Sequence, residues 1–205
     1  SIISEQQGRA IRLVHTRNLG VSEARNIGIR FARGAYILPL DADDLIRPSM
    51  LEETVQALEK NSKISIAYTD VTHFGKDRRT IQAAEFDAAR LPFNNQLNIT
   101  SLYRYEWEIG GGYRSLFWGY EDWDFWVGLA AEGCKAVRIP ADLFLHRVKD
   151  VSRDTIAMTY DRELRAQIIL NHPHLYSSAR ITSARHILAE SPRPISPNAP
   201  VVSVI

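Results

Sequence analysis

The hydrophobic pattern changes period several times within the first 71 residues. IRLVHT (11–16) alternates apolar and polar positions, which predicts a strand. NLG (18–20) predicts a turn. SEARNIGIRFARG (22–34) carries Ala24, Ile27 and Phe31 at helical spacing, with Ser22 as N-cap and Gly34 as stop. YILPL (36–40) is an apolar run between Gly34 and a set of acids, and predicts a buried strand. Pro39 cannot donate to a ladder, so its place is a strand end, a bulge or an edge. Pro48 opens a helix over 48–61 with Met50, Leu51, Val55 and Leu58 on one face. ISIAYTDV (64–71) is again a strand. This alternation predicts an α/β domain with a largely parallel sheet. Ligands of such sheets bind beyond the carboxyl ends of strands, and Asp41, Asp43 and Asp44 stand at such an end.

The pattern weakens over 75–100, which predicts a long connection with local structure. Glycines 110, 111 and 112 break the chain. Residues 121–133 predict a helix whose first turn holds acids, where the helix dipole favours them. KAVRIP (135–140) and DLFLHRV (142–148) predict strands, and helices are expected over 155–171 and 177–190. SPRPISPNAP (191–200) is proline-rich and reads as a semi-extended linker. VVSVI (201–205) after it has strand character.

Composition narrows the classes. A chain of 205 residues suits one domain of ordinary size with a tail. Lys and Arg (25) balance Asp and Glu (24), so the strong basic excess of a nucleic-acid binder is missing. A single cysteine, Cys134, excludes an internal disulfide or a cysteine-rich zinc site and fits a reducing compartment. No apolar run approaches the roughly 20 residues of a membrane span. SIISEQQGRA at the N-terminus lacks the basic start and apolar stretch of a signal peptide.

Three clusters could carry chemistry. In Asp41-Ala42-Asp43-Asp44, carboxylate oxygens suit Mg²⁺ or Mn²⁺, which commonly take one or two carboxylates plus substrate phosphates. Aspartates also stabilise plain turns, and from the acids alone site and turn weigh equally. An EF-hand loop is disfavoured, since Ile46 stands where it needs Gly. In WGYEDWDFW (118–126), carboxylates lie among aromatics. Desolvation there raises a carboxylate's pKa toward that of a general base, and aromatic faces pack on sugar rings. A capped helix with Trp123 and Trp126 in the core is a slightly simpler explanation. In HRVKD (146–150), His146 is a candidate metal ligand and Arg147 or Lys149 a candidate phosphate clamp, although such strand ends are usually structural.

In order and spacing, NLGVSEARNIGIRFARGAYILPLDADD (18–44) and GGYRSLFWGYEDWDFWVGLAAEGCKAVRIP (111–140) resemble the family 2 glycosyltransferases of inverting GT-A type. The matching features are an Asn-x-Gly turn, an Ala-Arg-Asn-x-Gly helix, a strand ending in Asp-x-Asp-Asp, and a Glu-Asp pair opening a later helix. The resemblance covers roughly residues 11–155. It implies a three-layer, Rossmann-like GT-A fold with a mixed, mostly parallel sheet, a nucleotide-diphosphate sugar donor, a Mn²⁺ or Mg²⁺ ion, and displacement with inversion onto a hydroxyl of a glycan or lipid-linked acceptor. Asp41 would contact the nucleotide sugar, with Asn18 and Arg25 beside the nucleotide. Asp43 would hold the metal. Asp122 would deprotonate the acceptor, with Glu121 beside it and Trp118, Tyr120 and Trp123 on the acceptor side. Many members carry a Tyr-Arg-x-His segment whose His reaches the metal. Aligned by Arg147 and Ser152, that His falls on Lys149, which is then placed for a phosphate, while His146 takes the Tyr position and is the remaining metal candidate.

The same resemblance implies a catalytic domain over 1–176 that lacks its first strands and is therefore inactive by itself. A helix over 177–190 follows, and 191–205 would be a linker and the opening strand of a second such domain. That strand could fill the vacant position within the chain or in a neighbouring copy. The expected setting is polysaccharide biosynthesis in the cytoplasm, with room for peripheral association at the inner membrane face. Two alternatives stay open on the residues: a non-catalytic carbohydrate-binding or scaffolding domain, and a haloacid-dehalogenase-like phosphatase, whose strand also ends in Asp-x-Asp.

Overall fold

The computed structural model describes residues 14–105, 107–115, 119–149 and 153–191. The elements run α1 (Val21–Phe31), β1 (Tyr36–Ile37), β2 (Leu45–Ile46), α2 (Met50–Glu59), β3 (Ile66–Gly75), β4 (Thr80–Ile81), β5 (Leu102–Arg104), α3 (Glu121–Ala131), β6 (Ala136–Val148), α4 (Arg153–Thr159), α5 (Asp161–Asn171) and α6 (Ser178–Glu190). The strands form one sheet in the order β1-β5-β3-β6-β2, with β4 beside β3.

Alternation along β3 builds the layers. Ile66 and Tyr68 point into a cluster with Tyr103, Phe125, Trp126, Leu164 and Ile168. Ala67, between them, packs with Leu58 and Leu102 on the opposite face. So α2 covers one face of the sheet, α3 and α5 cover the other, and the result is three layers. A wholly buried side chain such as Phe125 stabilises this arrangement by about 1.5–3 kcal/mol. Among the described residues no helix is long and apolar enough to cross a membrane.

The long β3–β6 ladder is parallel, as expected, but the other four pairings are antiparallel, so the sheet is mixed. The flanking strands are short, with two or three residues each. The two strands expected over 135–148 are one element. Its register against β3 jumps from Ile139 to Phe144, and Pro140, which has no N–H to give, lies in that irregularity. Pro39 likewise follows β1 at the edge of the sheet.

Other expectations change. Residues 14–16 are not a strand, and 11–13 lie outside the described residues. Helix α1 buries Val21, Ser22, Arg25, Gly28 and Ile29, while Phe31 is exposed. Its inward face is therefore set by Arg25 and not by the Ala24–Ile27–Phe31 spacing. The N-cap of α1 is Gly20, and Ser22 instead donates its hydroxyl to Arg114 O. In α2, Thr54 is buried in place of Leu51. The helix expected over 155–171 breaks at Tyr160 into α4 and α5. Ser177 caps α6, and its side chain accepts from Arg180 N. The proline-rich stretch after Ser191 and the strand over 201–205 lie outside the described residues.

Candidate active site

The acidic turn follows β1. Asp44 N donates to Asp41 O at 3.0 Å and closes the turn. The next two residues are β2, which pairs antiparallel with Phe144 and Leu145 of β6. This pairing carries residues 146–149 back over the acids. Asp44 fastens them: it is buried, accepts from Arg147 N at 2.8 Å, and its other oxygen lies 3.1 Å from His146 Nδ1. Lys149 Nζ lies 2.5 Å from Asp43 Oδ2, and both side chains are about half exposed. The hydrogen bond from Lys149 holds the Asp43 carboxyl below the usual aspartate range. Arg147 donates from Nε to Asp43 O at 2.9 Å and stacks 4.4 Å from the Phe74 ring centroid.

Arg25 ties this turn to α3. Its guanidinium is 2.9 Å from Asp41 Oδ1 and 2.8 Å from Glu121 Oε1. Burial disfavours its charge, but Glu121 and Asp41 more than reverse that, so its pKa is raised. Asn26 and Tyr113 exchange two hydrogen bonds, from Asn26 Nδ2 to Tyr113 O and from Tyr113 N to Asn26 Oδ1. The Ala-Arg-Asn segment thus docks α1 on the stretch that leads into α3.

The entry to α3 is strained. Tyr120 has φ 61°, a left-handed conformation that costs a non-glycine residue on the order of 1–3 kcal/mol. Its hydroxyl donates to Asp161 at 2.7 Å, and Arg165 holds the same carboxylate at 2.8 Å. Burial and the Asp161 carboxylate push the Tyr120 phenol up to about 12. Asp122 is half-buried in the first turn of α3. Asp124 is fully buried and engaged by Arg114 at 3.1 Å, Asn171 at 2.9 Å and His172 at 3.0 Å, which pins α3 to α5.

The fold thus joins Asp41, Arg25 and Glu121 in one group, and Asp43, Lys149 and the Asp44–His146 link in another. Several predicted roles change. Arg25 is buried between two carboxylates and not open to a nucleotide, and Glu121 is its buried partner rather than a second base. Trp123 is a core residue that donates from Nε1 to Leu91 O at 2.7 Å, so it does not present a face to an acceptor. Tyr120 is anchored on α5. Asn18 accepts from Gly20 N at 3.2 Å and shapes the turn into α1. Trp118 lies outside the described residues. Sequence reasoning gave no individual role to Asn26, to Asp44 or to the Asp124–His172 pair. The Asn26 signal was its place beside Arg25 in the motif, and that of Asp44 was a third acid in the run.

Of the two residues expected to hold a divalent ion, Asp43 carries the Lys149 ammonium, which an ion would have to displace, and His146 faces Asp44 through Nδ1, so an ion would have to be bound through Nε2. Among the described residues no group of three or more His, Cys, Asp or Glu could hold a metal ion.

Residues 1–124 match the family model described as glycosyl transferase family 2. The chain belongs to that family. Among family 2 relatives, an uncharacterized glycosyltransferase of Haemophilus influenzae is 26% identical over 194 residues, covering 80% of this chain and 66% of the relative. The uncharacterized glycosyltransferase EpsJ of Bacillus subtilis is 32% identical over 48% of this chain and 30% of its own length. The chain therefore spans less than two thirds of these relatives. In the fold comparison, S. aureus TarS in complex with UDP-GlcNAc superposes with a TM-score of 0.61 at 17% identity, over 92% of this chain and 57% of that one. The Pyrobaculum calidifontis mannosyltransferase in complex with GDP-Man and Mn²⁺ superposes at 0.50 with 16% identity, over 84% and 54%. The structural likenesses place the chain in the GT-A fold, and the family match places it in the transferase class and not among the phosphatases.

Proposed function

We propose that this chain carries the donor side of an inverting sugar transfer from a nucleotide-diphosphate sugar to a hydroxyl of a glycan or lipid-linked acceptor. The observation that carries the reading is Arg25, one cation shared by Asp41 and by the first residue of α3. It holds the acid that would face the donor at a fixed place relative to Asp122. The sugar-bearing nucleotides in the TarS and Pyrobaculum complexes support the donor class.

In this reading the acceptor oxygen attacks the anomeric carbon while its proton passes to Asp122. The bond from that carbon to the diphosphate breaks, and its electron pair goes to the departing phosphate oxygen. A hydroxyl is a weak nucleophile, so a positioned base is needed. One displacement with one base inverts the centre. The divalent ion expected from the resemblance has no part in this reading, because the Lys149 ammonium already lies against Asp43.

The test is Asp122→Asn, assayed for sugar transfer and for donor binding. Transfer should fall by a factor of about 10²–10⁴, the usual contribution of a general base, while donor binding stays. Normal transfer by Asp122→Asn contradicts the assignment.

A further inference from the structure

We infer that Lys149, backed by Arg147, is a built-in counterion for the donor's diphosphate and takes the place of a divalent ion. The inference rests on the nucleotide-sugar reading above. A diphosphate cannot approach a bare carboxylate without a cation between them, because like charges repel at short range. At Asp43 the chain supplies that cation itself: Lys149 Nζ lies 2.5 Å from Oδ2. An ammonium has three N–H donors in total, so it can hold Asp43 and still offer donors to phosphate oxygens. Both side chains are open enough to receive a ligand, with Lys149 54% and Asp43 43% exposed.

Four further contacts support a cation built into the turn. Asp44, buried, grips His146 and the Arg147 amide, which fixes the strand end from which Lys149 projects. The Arg147 guanidinium bonds the Asp43 carbonyl and is stacked on Phe74, so a second positive charge stands on the same turn. When the sugar leaves, the electron pair left on the departing phosphate oxygen is stabilised by a fixed ammonium, and no proton has to move.

The test is isothermal titration of the chain with UDP, GDP, ADP, CDP and dTDP, each in EDTA and again with Mn²⁺. At least one nucleotide should bind in EDTA, with no gain from Mn²⁺. Lys149→Ala should weaken metal-free binding by about tenfold or more, the usual weight of a charge-assisted contact. Lys149→Arg, which keeps the charge, should retain most of it. Wild-type binding that is lost in EDTA and restored by Mn²⁺ overturns the inference and leaves the nucleotide-sugar reading standing. So does Lys149→Ala binding as tightly as wild type in EDTA. No binding of any nucleotide in either condition overturns both.

Discussion

The guanidinium of Arg25 lies 2.8 Å from the carboxylate of Glu121, inside the protein, and both side chains are over nine-tenths buried. Its second arm reaches Asp41. A cation buried in a helix face is stable only because two carboxylates meet it there. Removing one partner of a buried pair leaves an uncompensated charge. Arg25→Met should therefore destabilise the chain by roughly 3–5 kcal/mol. Arg25→Lys should recover part of this, because an ammonium cannot fork between two carboxylates as a guanidinium does. Urea denaturation measures both; a Met variant as stable as wild type contradicts the bridge.

Gly128 gives a second stability prediction with an unusual sign. Alanine in a helix interior ordinarily stabilises relative to glycine, by up to about 1 kcal/mol. At Gly128 an added Cβ would stand 2.5 Å from Gly110 O, where α3 meets the 3₁₀ turn Trp107–Gly110. The backbone oxygen has no easy retreat. Gly128→Ala should cost about 1–3 kcal/mol, as overpacking does. A gain in thermal stability would show that this approach is looser than described.

Asp44 is expected to be a fastener whose loss is felt at the far strand. Asp44→Ala removes the acceptor of the Arg147 amide and the carboxylate that faces His146 Nδ1. The loss of these partly buried contacts should cost about 1 kcal/mol, the usual net weight of a hydrogen bond. The specific readout is hydrogen exchange at the Arg147 amide, which should quicken more than exchange along the rest of β6. Equal protection in both proteins would remove Asp44 from this role.

The pH dependence of the α3 entry follows from Asp161. Burial pushes its carboxyl up, but hydrogen bonds from Tyr120 and Arg165 outweigh this, and its pKa lies below the ordinary aspartate value. A depressed folded pKa means the contribution is fully present above the unfolded value, near 4, and is lost as pH falls through the lower folded value. Carbon NMR titration of Asp161 should give a midpoint below that of an exposed aspartate. Tyr120→Phe should raise it. A midpoint that Tyr120→Phe leaves in place contradicts the anchoring of Tyr120 on α5.

Much of this was legible in the sequence, for reasons that differ from residue to residue. The period change at 64–71 marks β3 because alternation reflects which face of a strand is buried. The acids at 41–44 mark a strand's carboxyl end because the apolar run stops there. The inward face of α1 was not legible: its spacing of apolar residues names Phe31, while the structure buries Arg25. A charged residue turns inward only when its partners are present, and Asp41 and Glu121 come from other parts of the chain. Trp123 was misread for a related reason, since an aromatic beside carboxylates looks the same in sequence whether its ring faces a sugar or a core. The resemblance implied a mixed sheet, but its short antiparallel members could not be placed, because two- and three-residue strands such as β2 and β5 leave almost no pattern. Lys149 stood in the sequence where the family often has His, but its meaning depends on β2 pairing with β6 to bring it onto Asp43.

A nucleotide sugar is expected to bind at the turn from Asp41 to Asp44, against which Lys149 lies and which Arg25 links to the residue before Asp122. Amide NMR of the isotope-labelled chain, titrated with UDP- and GDP-sugars, addresses this most directly. The largest shifts should fall on Asp41, Asp43, Lys149 and Asp122, and they should disappear in Asp41→Ala. Shifts gathered on another face of the sheet, with these four signals unmoved, would contradict it.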